Sequence, residues 1–189
     1  HVLTEGFHSA CDPEPSFDGK RLLFAAKRTN ASPWNIYEME LDGSGTRQIT
    51  DDAGDCRQPT YLGTFYTIDA EAPWHQIAFV STRTGNSDVW RIARDGSGLQ
   101  NLTASRANEG HPSWSPDGST LLFDCDATTD GKPDIFAMNL ENGATRNLTD
   151  DDMEALADAD ALQSLSGHRH QSQWQIMALE KPKPLLRDE

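Results

Sequence analysis

Apolar and polar positions along this chain recur in a long register. Three segments, WNIYEMELDGSGTRQIT, SDVWRIARDGSGLQNLT and PDIFAMNLENGATRNLT, place an aliphatic residue (Ile36, Val89, Ile135) thirteen positions before another (Ile49, Leu102, Leu148), and a Thr follows each time. A fainter fourth segment, SQWQIMALEKPKPLLRD, puts Ile176 in the first slot and ends at Leu185 or Leu186. The anchors are separated by 53, 46 and 41 residues. A period of that size filled with short strands predicts stacked or radially arranged repeats.

Within a period the alternation is that of strands joined by tight turns. The third copy predicts a strand around Pro112 to Ser115, then a turn at Pro116-Asp117-Gly118. Pro presets its own backbone angle there, and Gly accepts the left-handed region. Thr120 to Cys125 follows with Leu121 and Phe123 on one face and Leu122 on the other. The loop ATTDGKP leads to a strand over Asp134 to Asn139, and Glu141-Asn142-Gly143 turns the chain into Thr145 to Thr149. Each copy is therefore a four-stranded antiparallel meander.

Aromatics align on its two inner strands: Phe17, Tyr61 or Trp114 on the first and Phe24, Phe79 or Phe123 on the second. Four short strands cannot bury both faces alone, so the copies must stack with these aromatics and the Ile135-type anchors occupied by packing. The expectation is an all-β, β-propeller domain of about four blades, possibly part of a larger propeller. Its blades fall at approximately 10–50, 55–103, 109–149 and 150–187, with 1–5 a possible closing strand. Val2 to Thr4 either closes the fourth blade or belongs to a preceding one. Copy two carries about nine extra residues in GTFYTIDAEAPWHQ, and copy four opens on DDDMEALADADALQ, which reads as a short capped helix.

Composition narrows the partners. Among 189 residues, 30 acidic side chains outnumber 16 basic ones, giving a formal net charge of −14. Nucleic acid and anionic membrane are attracted by Lys and Arg, so neither is an expected partner. No apolar run approaches the roughly 20 residues of a membrane span. The chain opens on His1 without a basic and apolar leader, so either a signal peptide has been removed or this is an excerpt of a longer protein. No G-x-S-x-G elbow occurs, and no carboxylate pair stands out as acid and base, so no catalytic residue is assigned.

The segments PSWSPDGSTLLFD and DIFAMNLENGATRNLT, with HSACDPEPSFDGKRLLFAAKR and the WNIYEMELDGSGTRQIT that follows it, resemble the repeat of the TolB-like (WD40-like) β-propellers. Blades of this kind occur in periplasmic TolB, in propellers of some peptidases and in some polysaccharide lyases. The resemblance implies a periplasmic or secreted, non-enzymatic scaffold that binds a protein or glycan through loops at one face. It equally admits a propeller domain or subunit of a larger enzyme assembly of the lyase or peptidase type.

Candidate sites follow from the departures within the repeat. Asp12, Glu14, Arg57, Gln58, Glu109 and His111 stand just before the inner strands, at the rim of a channel, when the copies are aligned on Pro15, Pro59 and Pro112. Such residues either bind a cation or ligand, or hydrogen-bond to water and backbone. Phe65, Tyr66, Trp74 and His75 in the copy-two insertion are the material of protein or sugar recognition, or of a loop folded over a blade edge. Asp126, Asp130 and Asp134 offer hard oxygens to calcium in a loop that opens like an EF-hand, but position twelve is Ala137 where the closing Glu belongs. His168 and His170 would face one side of a strand, without an evident third ligand. Cys11 and Cys56 occupy nearly equivalent positions in adjacent blades, so a disulfide across the rim is possible, whereas Cys125 reads as a buried thiol. Asn101 and Asn147 lie in N-L-T sequons, and Asn30 in a third. The first two are by-products of the repeat.

Overall fold

The structure is a computed structural model, and it describes residues 2–51, 54–62, 76–127 and 132–149, all within the unit His1–Asp150. Among the described residues there is no helix. Twelve strands form three four-stranded antiparallel sheets, each a meander in chain order. The first contains β1 (Ser9–Pro15), β2 (Arg21–Lys27), β3 (Asn35–Glu40) and β4 (Arg47–Gln48). The second contains β5 (Cys56–Tyr61), β6 (Gln76–Ser81), β7 (Asp88–Ala93) and β8 (Gln100–Asn101). The third contains β9 (Glu109–Trp114), β10 (Thr120–Cys125), β11 (Asp134–Asn139) and β12 (Thr145–Asn147).

Hydrogen bonds account for the thirteen-residue spacing. The amide of Ile49 donates to the carbonyl of Ile36 (2.8 Å), Leu102 to Val89 (2.8 Å) and Leu148 to Ile135 (2.7 Å). The Thr that follows turns its hydroxyl back on the same residue: Oγ1 of Thr50, Thr103 and Thr149 accepts from the amides of Ile36, Val89 and Ile135 at 2.9, 3.0 and 2.9 Å. In the first and third sheets that hydroxyl donates onward to Asn35 (3.0 Å) and Asp134 (3.1 Å). Asn101 and Asn147 donate their side-chain amides to Asp88 (2.9 Å) and Asp134 (2.7 Å), so the nitrogens that a glycan would need are engaged in the repeat itself. The hairpin turns are equally explicit. Ser16 and Ser115 donate to Asp18 and Asp117 at 2.6 Å, with Gly19 and Gly118 at φ 65° and 71°. Donation from Ser115 and from the amide and hydroxyl of Ser119 pulls the Asp117 carboxyl down to about 2.

Successive side chains of a strand point to opposite faces, and here each face meets a different neighbour. Leu23, Ala25 and Ile36 pack with Cys56, Tyr61, Ile77, Phe79 and Ile92 in the seam between the first and second sheets. Ala78 and Val89, from the other face of the second sheet, pack with Leu121, Phe123, Cys125 and Met138 of the third. Phe24, Ala26, Tyr37 and Met39 on the far face of the first sheet are covered by Leu3 and Phe7. Phe7 meets Tyr37 edge-on at 4.8 Å and Phe24 at 5.5 Å. Val2 to Thr4 is thus not a closing strand: residues 3–6 form turns, and the segment is fixed by its apolar side chains.

Two further expectations change. Phe17 is not an inner-strand aromatic. It sits in the Ser16–Gly19 turn, 77% exposed, and Pro15 takes the position of Tyr61 and Trp114. Ile135 is 47% exposed, whereas Ile36 and Val89 are fully buried, because no further sheet lies against its face among the described residues.

One polar cluster ties the first two sheets. Glu38 on β3 is 2% exposed and accepts from Arg47 Nε and Nη2 (3.0 and 2.8 Å), Arg94 Nε (2.8 Å) and the Tyr61 hydroxyl (2.9 Å). Burial alone would raise the Glu38 carboxyl. The bonds from Arg94, Arg47 and Tyr61 outweigh it and hold the carboxyl below its ordinary range.

Candidate functional site

The first strands of the sheets, β1, β5 and β9, lie next to one another, β5 against β1 and β9 against β5. Each carries a break in register, between Cys11 and Glu14, between Arg57 and Thr60, and opposite Leu122 and Asp124. At the break stands a non-glycine residue in the left-handed region: Asp12 (φ 53°), Gln58 (φ 53°) and His111 (φ 47°). Proline follows each one. Left-handed backbone costs a side-chain-bearing residue of order 1–3 kcal/mol, and a following proline disfavours helical angles further. Such a bulge persists only if its surroundings impose it.

The imposing bonds run from sheet to sheet. Asp12 Oδ2 accepts the backbone N–H of Gln58 at 3.0 Å, and Gln58 Oε1 accepts the backbone N–H of His111 at 2.8 Å. Each bulge residue therefore uses its side-chain oxygen to cap the main chain of the next bulge. Asp12 Oδ2 also receives Arg57 Nε at 2.8 Å, and the Arg57 guanidinium lies over the Trp34 ring at 4.4 Å. Burial would raise the Asp12 carboxyl, but the bonds from Arg57 and the Gln58 amide hold it below its usual range. Glu14 Oε1 accepts from Thr60 at 3.4 Å.

His111 closes the series differently. Since Gln58 Oε1 takes the His111 amide, the Gln58 NH2 faces the ring, 3.0 Å from Nε2, and Nε2 must be an acceptor. Nδ1–H then donates to Asp124 Oδ2 at 3.0 Å. The imidazole is oriented by a carboxyl group, with its side chain 74% exposed. Gly110 makes the arrangement possible, because a Cβ there would stand 2.6 Å from Asp124 Oδ1. That oxygen is itself buried without a hydrogen-bond partner.

The expected rim residues Asp12, Glu14, Arg57 and His111 therefore stand at or beside the register breaks of the first strands, joined by Gln58 and Asp124. Asp124 was a sequence candidate only as an oxygen of the acidic loop DCDATTDGKPD and not as a rim residue, and the alignment that places the rim residues is through Pro13, Pro59 and Pro112, one turn of the pleat away from Pro15. Proline after each bulge residue was the available signal. Glu109 is not a rim group: it is 4% exposed in the seam between the second and third sheets.

The proposed Cys11–Cys56 bridge is not formed. All three cysteines are free thiols. The register pairs Cys11 with Ala25, which matches Arg57 and Gly110, while Cys56 matches Ala10 and Glu109. Both thiols belong to the seam between the first two sheets, where Cys11 packs against the cluster that contains Cys56, one position out of step along the strands. Cys11 Sγ donates to Ala25 O (3.8 Å), whereas Cys56 Sγ faces the Ser81 hydroxyl (3.6 Å). Burial above all, with the Asp12 charge, pushes the Cys11 thiol up to about 11.

Of the calcium candidates, Asp126 accepts from the amide and side chain of Asn108 at 2.7 and 2.8 Å. Asp134 holds Asn147 and Thr149. Asp130 lies outside the described residues. Among the described residues no three His, Cys, Asp or Glu side chains converge as a metal would need. Phe65, Tyr66, Trp74 and His75, the helix-like segment from Asp150, and His168 with His170 also lie outside the described residues. Among the described residues no helix is long and apolar enough to cross a membrane.

Stacked four-stranded meanders whose first strands stand side by side define a β-propeller. The chain belongs to the TolB beta propeller domain family, whose profile matches residues 72–182. Hydrazine synthase subunit alpha of Kuenenia stuttgartiensis is 47% identical over 60 residues, which cover 32% of this chain and 7% of that protein. The protein TolB homolog of Chlorobaculum tepidum is 36% identical over 69 residues, covering 36% and 15%. The solved Kuenenia stuttgartiensis hydrazine synthase superposes with a TM-score of 0.64 at 22% identity, over 78% of this chain and 26% of that one. The matched stretches span well under a third of those proteins, and the structural likeness shows the fold.

Proposed function

We propose that this chain is a non-enzymatic, extracytoplasmic propeller scaffold, periplasmic or secreted, that binds a protein or glycan partner at the rim face. The carrying observation is the rim itself. Bulges on three successive sheets join Asp12, Gln58 and His111 in a row, and they leave His111 largely exposed and oriented by Asp124. A preorganised polar group on a rigid scaffold is the usual ground of recognition. The family likeness to TolB homologs supports the extracytoplasmic location.

The test compares a photo-crosslinking residue at position 111 with one at position 91 on β7, alongside retardation on neutral and acidic polysaccharides. The expected result is a discrete adduct from position 111 alone, or polysaccharide retardation that His111→Ala removes. Equal labelling from both positions with no retardation would sink the reading. A second reading, a propeller segment within a subunit of an enzyme assembly, is favoured by the 47% identity to hydrazine synthase subunit alpha. Unsaturated sugar products or peptide cleavage in the same assays would establish that one instead.

A further inference from the structure

The seam between the second and third sheets buries two acids without a cation. Asp88 opens β7 and is 1% exposed; Glu109 opens β9 and is 4% exposed. Asp88 accepts from Thr84 Oγ1 (2.6 Å), Asn101 Nδ2 (2.9 Å), the Ser105 amide (3.2 Å) and Asn86 Nδ2 (3.4 Å). Glu109 accepts from Thr103 Oγ1 (2.9 Å), from the Ser105 hydroxyl in a short bond, and weakly from Cys125 Sγ (3.7 Å). The titratable groups facing Glu109 are Asp88 from β7 and the Cys125 thiol from β10. Among the described residues no Arg, Lys or His side chain is bonded to either carboxyl. By contrast, the buried Glu38 of the neighbouring seam is surrounded by arginines.

The repeat supplies an internal control. The seam between the first and second sheets has the same two positions, and there they are Asn35 and Cys56. Both are neutral and buried. The architecture thus takes an uncharged pair at this place. Two desolvated like charges side by side would cost far more than the surrounding hydroxyls and amides return. Hydroxyls suit a carboxyl in either state, because Thr and Ser oxygens donate to a carboxylate and accept from an acid.

We propose that Glu109 keeps its proton in the folded chain and acts as a latch across the second and third sheets, which acid tightens and alkali loosens. Burial first, and the Asp88 charge in addition, raise the Glu109 carboxyl above the ordinary range against the bonds from Ser105 and Thr103. The folded chain therefore binds more protons than the unfolded one between the ordinary carboxylate range and the raised value. Stability is fully present below that window and falls as pH rises through it.

Two measurements decide the matter. Carboxyl 13C NMR on the intact chain is expected to show Glu109 titrating above the exposed acids. Thermal unfolding of wild type and Glu109→Gln is expected to diverge with pH. Within the window the wild-type unfolding constant rises by up to about tenfold per pH unit beyond any change in the variant. Amide protection in β9 should fall with it, relative to β5. A Glu109 midpoint among those of the exposed acids overturns the proposal even if the variant does not fold. So do parallel pH profiles, or a calcium-dependent rise in melting temperature that Glu109→Gln removes.

Discussion

Thr50 shows what a single atom contributes to this repeat. Its hydroxyl is buried, accepts the Ile36 amide and donates to Asn35, so one oxygen joins the third strand to the chain leaving the fourth. Thr50→Val keeps the volume and orphans both partners. It is expected to lower stability by about 1–3 kcal/mol, read from the urea midpoint at unchanged m-value. Glu38 makes the opposite case for charge. Its carboxyl is held below the ordinary range, so its contribution is full above that range and lost as pH falls through the lowered value. Glu38→Gln should therefore be less stable than wild type near neutrality, and the two melting curves should converge on acidification. The Thr was legible in the sequence as a fixed offset from Ile36, although its bonds were not. Glu38 was not legible at all. Its partners Arg47, Tyr61 and Arg94 lie 9, 23 and 56 residues away, and no local pattern announces a meeting of that kind.

Strands and turns were the most readable level, because alternation and turn chemistry are local. Asp134–Asn139 and Thr120–Cys125 form as expected, and the Pro116-Asp117-Gly118 turn is in place. Register within the first strands was not readable. The proline equivalent to Pro59 and Pro112 is Pro13, two residues before the Pro15 on which the repeat was aligned, and Phe17 was misplaced for this one reason, while Cys11 stands one position out of step with Cys56. The thiols give the check. Denatured, non-reduced protein should show three reactive thiols. In the native state Cys11 should alkylate slowly at neutral pH and faster as pH approaches about 11. Two thiols or fewer on denaturation would mean that a bridge does form.

The stacking of sheets was visible from the 53- and 46-residue spacings, because meanders with two apolar faces must cover both. The way the first sheet finishes was not visible. Its far face is capped by Leu3 and Phe7 in a turn-rich segment that lacks the strand alternation, and only packing in three dimensions selects them. Phe7→Ala removes the edge-on contacts to Phe24 and Tyr37 and the Arg28 guanidinium above the ring. A loss of about 1–3 kcal/mol is expected, with increased binding of a hydrophobic dye. Unchanged melting and dye binding would show that the cap is not part of the cooperative unit.

The rim bonds, finally, give the array a direction. Asp12 holds the main chain of Gln58, and Gln58 holds that of His111, always from an earlier side chain to a later backbone. Losing the later sheet frees only an amide side chain that water can serve, whereas losing the earlier sheet strips the support from a strained backbone. Shortening from the two ends should therefore be unequal in cost, the removal of the first sheet loosening the second more than the removal of the third does.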